Sequence, residues 1–364
     1  MSEVDPRPLS VIRQDMEAID RELVKLLSAR ADLAIEVGHT KRLEGTPFFV
    51  PERERAIFER LERENPGPLT NKQLHAIYRE IISAAIAAEK PLSVAFWGPA
   101  GTNTHQAALQ TFGASADFVA VDSISETFRA VEHGRADYGV VPIENSSHGI
   151  VPETLDMFPQ TNVKVCAELY VPIHMHLVST AKTLAEIKRV YAFGQPANQC
   201  KSWLRSNLPQ AEIVEAAPTA RAARLALDDP EGAAICNKLA AETVGIPIMV
   251  EHIEDNPNNR TRFVVLGYNE PAKTGKDKTS YMFNVRNRPG TLVAALHAFE
   301  GNGVNLTMIE SRPAQRATFE YIFYCDCDGH RLDDNVQAAI EQLKKVALEV
   351  VVLGSYPYRD PLDC

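Results

Sequence analysis

The 364-residue chain carries only six cysteines, and Cys166, Cys200, Cys236, Cys325, Cys327 and Cys364 lack the paired spacing of a metal-binding framework. Scattered thiols suit a reducing compartment. Cys325 and Cys327 share one face of an expected strand, but no second pair stands near them; His174 and His176, set among apolar neighbours, read as strand residues before ligands. No metal is expected. The chain also lacks positive charge. Its formal net charge of −10 argues against a nucleic-acid partner, because duplex binding needs a cationic surface, so any anionic ligand must be caught locally. No apolar run approaches the roughly 18 residues of a membrane span. The opening "MSEVDPRP" has no basic region followed by an apolar stretch, and a cytoplasmic protein is expected. Nucleotide signatures are missing too. "GPAGTNTHQAA" (Gly98 to Ala108) has neither the Gly-x-Gly-x-x-Gly spacing nor a following Gly-Lys-Ser/Thr, and no cofactor is expected.

What is present divides into three. Hydrophobic residues make up 45% of the chain, enough for sizeable cores in two or three domains. Residues 8–90 are helical throughout, with Pro and Gly confined to breaks at Gly45 to Pro51 and Pro66 to Pro68, which predicts an all-α unit. Residues 92–268 alternate short apolar strands such as "SVAFWG", "DYGVVPI" and "TRFVVLG" with helical stretches, as an open α/β sheet requires. A polar linker, "NEPAKTGKDK" (Asn269 to Lys278), follows. Residues 279–358 then read as strand (Thr279 to Arg286), helix (Gly290 to Glu300), two strands (Val304 to Arg312, Phe319 to Asp326), helix (Leu332 to Val346) and strand (Glu349 to Leu353). That order predicts a ferredoxin-like βαββαβ unit.

The stretch from Ile12 to Lys41 reads as one long helix bearing Arg13, Arg30 and Lys41. Arg13 and Arg30 lie about 25 Å apart along its axis, too far to share a small metabolite, whereas Arg30 and Lys41 return to nearly the same face roughly 16 Å apart. If all three serve one small dianion, a second copy of the helix must supply Arg13. With "PERERAIFERL" (Pro51 to Leu61) and "REIISAAIAAEK", this stretch resembles the all-helical chorismate mutases, whose dimers interlock long first helices. The resemblance implies that Arg13, Arg30, Lys41 and Arg53 clasp the carboxylates and ether oxygen of chorismate, and that Glu54 binds a hydroxyl. Val50 and Ala85 depart from the family's usual acid and serine. Glu89 stands where a glutamine is often found, and because an ionised Glu cannot donate to the ether oxygen, the site is expected to work with Glu89 protonated and to weaken as pH rises.

In the α/β unit, "GPAGT" follows a strand and opens a helix whose free N–H groups suit a carboxylate, with Thr102 as a substrate-binding candidate. "VVPIENSSHGIV" (Val140 to Val151) crowds polar groups at a strand's end, which marks a cleft. Together with "NRTRF", these motifs resemble prephenate dehydratase, with two lobes like those of a periplasmic binding protein and the active site between them. The resemblance implies that Thr261 hydrogen-bonds and helps protonate the departing ring hydroxyl, that Arg262 anchors a carboxylate, and that Asn145 and Ser146 orient the substrate. Phe193 in "AFGQPANQC" replaces the family's usual histidine, and His148 is a candidate to supply the missing polar contact.

"NRPGTLVAALHAFEGNGVNLTMIESRP" (Asn287 to Pro313) resembles the ACT regulatory domains of phenylalanine-synthesising enzymes. By that resemblance Gly290, Thr291, Leu292 and Val293 line one side of an effector pocket, and Glu310, Ser311, Arg312 and Pro313 the other. Gly-Thr-Leu-Val stands for the family's Gly-Ala-Leu-Val. The combined expectation is a multidomain bifunctional enzyme of phenylalanine biosynthesis. It takes chorismate to prephenate and then to phenylpyruvate, is inhibited by L-phenylalanine, and pairs as a homodimer through its helical unit and its ACT unit. Two alternatives are a mutase with an impaired dehydratase unit and an amino-acid-sensing regulator.

Overall fold

The computed structural model describes residues 7–314 and 321–361; Cys364 and the expected strand start at Phe319 lie outside them. These residues form two bodies, one holding residues 7–49, 60–92 and 112–116, the other residues 50–59, 93–111 and 117–361.

The first body is helical. Helix α1 (Leu9–Glu44) runs 36 residues, about 54 Å at 1.5 Å per residue. It stops at Gly45, whose φ of +69° turns its N–H back onto the Lys41 carbonyl, with Lys41 and Arg42 in the last turn where the helix dipole favours cations. Helix α2 (Pro51–Glu64) begins at a proline that needs no N–H there, and its first turns count with the second body. Helix α3 (Asn71–Glu89) opens on a capping box between Thr70 and Gln73. It packs on the C-terminal part of α1 through Ala34, Gly38, Ile82 and Ala85. At Gly38 the two backbones approach so closely that a Cβ would sit 2.8 Å from the Glu89 Cα. By contrast, every residue of α1 from Leu9 to Ala29 is exposed, among them Ile12, Met16, Ile19, Leu23, Leu26 and Leu27.

The second body begins with β1 (Ser93–Trp97), α4 (Asn103–Phe112), β2 (Asp117–Val121), α5 (Ile124–Glu132), β3 (Tyr138–Asn145), β4 (Gly149–Ile150), α6 (Pro152–Met157) and β5 (Lys164–Pro172). It continues through β6 (His176–Ser179), β7 (Arg189–Ala192), α7 (Gly194–Gln199), α8 (Lys201–Asn207), β8 (Glu212–Glu215), α9 (Thr219–Asp228), β9 (Gly232–Cys236), α10 (Lys238–Val244), β10 (Ile248–Val250) and β11 (Arg260–Gly267). Two sheets result, ordered β2-β1-β3-β11-β5, with β4 on β3, and β10-β6-β9-β7-β8. The chain crosses from the first sheet to the second at residues 173–175 and returns through residues 251–259, so two α/β lobes share two crossings. That is the two-lobed arrangement expected.

The last part comprises β12 (Asp277–Asn284), α11 (Thr291–Glu300), β13 (Leu306–Pro313), β14 (Tyr321–Asp328), α12 (Asp334–Val346) and β15 (Glu349–Pro357). Its antiparallel sheet, ordered β13-β14-β12-β15, is ferredoxin-like. One face packs on its own two helices through Tyr281, Phe299, Ala339 and Leu343. The other meets the first lobe through Met282, Tyr324, Leu353 and Tyr356 against Leu155, Phe158 and Leu266. Among the described residues, no helix is long and apolar enough to cross a membrane.

Candidate active sites

In the helical body, Lys41 reaches from the last turn of α1 to the last residue of α3. Its Nζ stands 2.7 Å from Glu89 Oε2, with the two side chains only 14% and 10% exposed, and donates to the Phe48 carbonyl at 3.1 Å. Arg30, half-buried, donates to the Ile81 carbonyl at 3.3 Å. Glu89 thus faces Lys41 directly, and the two side chains close one end of the α1–α3 contact. Arg13 is exposed and stands 28 residues before Lys41 on the same helix, about 42 Å away. One chain does not bring it to the Lys41–Glu89 pair. Arg53 and Glu54 lie in the first turn of α2, in the second body, with Arg53 exposed and Glu54 buried. The sites of the Val50 and Ala85 departures differ: Val50 is half-buried, Ala85 buried one turn before Glu89.

Between the two α/β lobes lies a cavity of about 770 Å³, in the range of small-ligand sites. Its walls include Trp97, Thr102, Asn145, Phe193, Gln195 and Thr261. Thr102 comes from the "GPAGT" turn, where Gly101 has φ +91° and a side chain would sit 2.9 Å from the Ala240 Cα. His105, which stacks on Phe96 and accepts from the Gly101 N–H at 3.1 Å, braces that turn; burial lowers its pKa and keeps it neutral.

Thr261 and Asn145 face each other across the β3–β11 ladder. The Asn145 Oδ1 accepts from the N–H groups of Ser147 at 2.9 Å and His148 at 3.1 Å, which fixes the amide with its nitrogen toward Thr261. Asn145 Nδ2 then donates to Thr261 Oγ1 at 2.8 Å. With its oxygen occupied, the threonine hydroxyl has its own hydrogen to offer, and Thr261 lines the cavity. The arrangement is a neutral hydroxyl donor on the wall of the cavity between the lobes.

Other expectations are redirected. Ser146 does not line the cavity; its hydroxyl accepts from the Arg260 N–H at 2.9 Å and ties β3 to β11. His148 is exposed and holds Asn145 through its ring nitrogen at 2.9 Å, leaving Gln195 as the polar group beside Phe193 on the cavity wall. Arg262 is placed away from the cavity wall. Strand alternation that turns Thr261 to the cavity turns its neighbour to the opposite face, where Arg262 is buried and donates to Glu168 at 2.8 Å, pairs with Asp326 at 2.6 Å and donates to the Tyr356 hydroxyl at 3.0 Å. Lys278 joins at 2.9 Å from Glu168. Two cations thus meet two buried carboxylates. Although desolvation disfavours its charge, Asp326 and Glu168 hold the Arg262 guanidinium firmly protonated. Sequence reasoning missed Met175 from the crossing between the lobes and Thr219 from the second lobe, because no motif ties them to Thr261; Gln195 and Gln199, spaced to share a face of α7, carried a readable signal.

In the ferredoxin-like part, Gly290 takes φ +83° as the cap of α11, and the Thr291 hydroxyl donates to the carbonyls of Arg286 and Arg288. Leu292 and Val293 follow in the first turn. Glu310, Ser311, Arg312 and Pro313 end β13, the edge strand. Asn284 and Arg312 both face Ile322 across their ladders, so the end of β12 that leads into α11 and the end of β13 lie at one end of the sheet. Arg312 grips Asp156 of α6 through Nε at 3.1 Å and Nη2 at 2.9 Å.

Three family models match along the chain: chorismate mutase type II over residues 12–90, prephenate dehydratase over 94–271 and the ACT domain over 282–345. The chain is 42% identical over 353 residues to a bifunctional chorismate mutase/prephenate dehydratase of Aquifex aeolicus (strain VF5), covering 96% of this chain and 98% of that one. A protein of the same description from Stutzerimonas stutzeri is 39% identical over 364 residues, covering 98% and 99%. Among solved structures, a prephenate dehydratase from Arthrobacter aurescens in complex with L-Phe aligns with a TM-score of 0.68 at 35% identity, covering 75% of this chain and 92% of that one. The chain belongs to the bifunctional chorismate mutase/prephenate dehydratase family.

Proposed function

We infer that the chain rearranges chorismate to prephenate with its helical unit, converts prephenate to phenylpyruvate in the cavity between its α/β lobes, and responds to L-phenylalanine through its ACT unit. The observation that carries the dehydratase step is the Asn145-oriented Thr261 hydroxyl on the cavity wall. Loss of water and CO2 aromatises the substrate ring, so the site needs only to assist the hydroxyl's departure and hold the carboxylate out of the ring plane. Thr261 serves the first need. Thr102 and the N–H groups opening α4, which stand on the cavity wall, serve the second.

The mutase step needs no nucleophile. It needs the substrate held folded, with positive charge beside the breaking C–O bond. Arg30 and Lys41 supply it from one chain, with Arg53, Glu54 and Glu89 as further binding groups. Arg13 enters from a second copy, and the uncovered apolar stripe of α1 supports that pairing. The bare edge of β13 supports a second contact between ACT units, beside the effector residues Gly290 to Val293 and Glu310 to Pro313.

Supplying chorismate, and separately prephenate, to the parent and to Thr261→Ala tests the reading. Phenylpyruvate is expected from both substrates with the parent, and chorismate is expected to be consumed but to stop at prephenate with the variant. A parent that consumes chorismate and leaves prephenate untouched would establish the impaired dehydratase instead, with Phe193 as its cause. An L-phenylalanine titration that leaves phenylpyruvate formation unchanged would remove the feedback.

A further inference from the structure

The two crossings between the α/β lobes run side by side. Ile173 donates its N–H to Asn259 at 2.8 Å, and Ile253 donates to Met175 at 2.8 Å. Ile173 and Met175 face the cavity, so His174 between them faces the outer side. There it meets two residues of the returning segment: His174 Nδ1 stands 2.8 Å from Glu254 Oε1, and His252 Nδ1 stands 3.3 Å from the same oxygen. One potential ligand atom from each of the three lies within 4.8 Å of the others.

The cluster is held from behind. Glu254 is almost wholly buried, and its second oxygen accepts from the Met175 N–H at 2.9 Å, which aims Oε1 at the histidines. His176 accepts from the His252 N–H at 3.2 Å and holds the backbone that presents that ring. His174 and His252 remain 36% and 55% exposed, open to ions from solvent.

We propose that His174, His252 and Glu254 form a site for a divalent transition metal of the zinc class, which clamps the two crossings between the lobes. Two imidazoles and one carboxylate suit zinc, cobalt or nickel and disfavour magnesium or calcium, which prefer all-oxygen shells. Ligand bonds of about 2.0–2.2 Å in a tetrahedron put ligand atoms roughly 3.3–3.6 Å apart, a range that the 3.3 Å between His252 and Glu254 meets and the 2.8 Å between His174 and Glu254 approaches. A water or another small ligand would complete the shell. Fixing His174 to His252 and Glu254 restrains the segments about which the lobes open, directly behind the wall that Ile173 and Met175 give the cavity.

Equilibrium dialysis of the full-length chain against zinc, with cobalt absorption as a second readout, tests the site. The parent is expected to hold one tightly bound zinc per chain, to give the visible bands of tetrahedral cobalt, and to lose affinity at least tenfold in Glu254→Gln and in His252→Asn. Asn tolerates the φ of +56° that His252 adopts. His174→Ala, at the surface, gives the same reading should a buried variant misfold. A parent that holds no zinc, or variants that hold it as tightly as the parent, would overturn the proposal.

Discussion

Thr261 illustrates how a feeble acid becomes a directed donor: its oxygen is filled by Asn145, so its hydrogen is left for the cavity. Thr261→Ala is expected to lower dehydratase kcat by about 10²–10³-fold with little change in KM, as for loss of one positioned donor, while Thr261→Ser retains most of the rate; steady-state assay with prephenate checks both. In the helical body Glu89 faces Lys41, and a glutamate can donate to an ether oxygen only through an O–H. The parent's mutase rate is accordingly expected to fall as pH rises, and Glu89→Gln to give a flat profile, read by chorismate disappearance across buffers. "NRTRF" pointed to Thr261 through its resemblance to prephenate dehydratase, and the polar loop at the end of β3 pointed to a cleft. It did not reveal the partners of Arg262. Strand alternation separates the faces of neighbouring residues, but no local pattern says that a distant Asp326 and Glu168 wait on the other side.

Elements carry their own tests. The α1–α3 crossing depends on Gly38, where an added Cβ meets Glu89 backbone at 2.8 Å. Gly38→Val is expected to destabilise the helical body by about 1–3 kcal/mol through overpacking, seen as earlier loss of mutase activity in urea while the dehydratase transition holds. On β11, Arg262→Met strands Glu168 and Asp326 with Lys278 alone. It is expected to cost about 3–5 kcal/mol of stability, read as a lowered denaturation midpoint of the second body, whereas a carboxylate anchor would show instead as a raised KM for prephenate. The helices, the alternating lobes and the βαββαβ order were all legible, since period and punctuation are local properties. Boundaries were less so. The last strand continues past the expected Leu353 to Pro357, because Gly354 and Ser355 look like a terminus until β12 is there to pair with them.

At the scale of the molecule, the exposed half of α1 is the feature a single chain leaves unexplained. Side chains such as Met16, Ile19 and Leu26 are about 60% exposed, and burying each against a second copy contributes on the order of 1 kcal/mol. In the pairing we propose, Arg13 of a second copy completes each Lys41–Glu89 pair, so that every mutase site draws on two chains, whereas the dehydratase cavity is lined by one. An equimolar, reassorted mixture of Arg13→Ala and Lys41→Ala chains tests that division directly, with chorismate supplied and phenylpyruvate measured. Each variant alone is expected to be nearly inactive on chorismate yet normal on prephenate. In the mixture half the dimers are mixed and half their sites complete, which restores about a quarter of the parent rate; a mixture as inactive as its components would contradict the shared site.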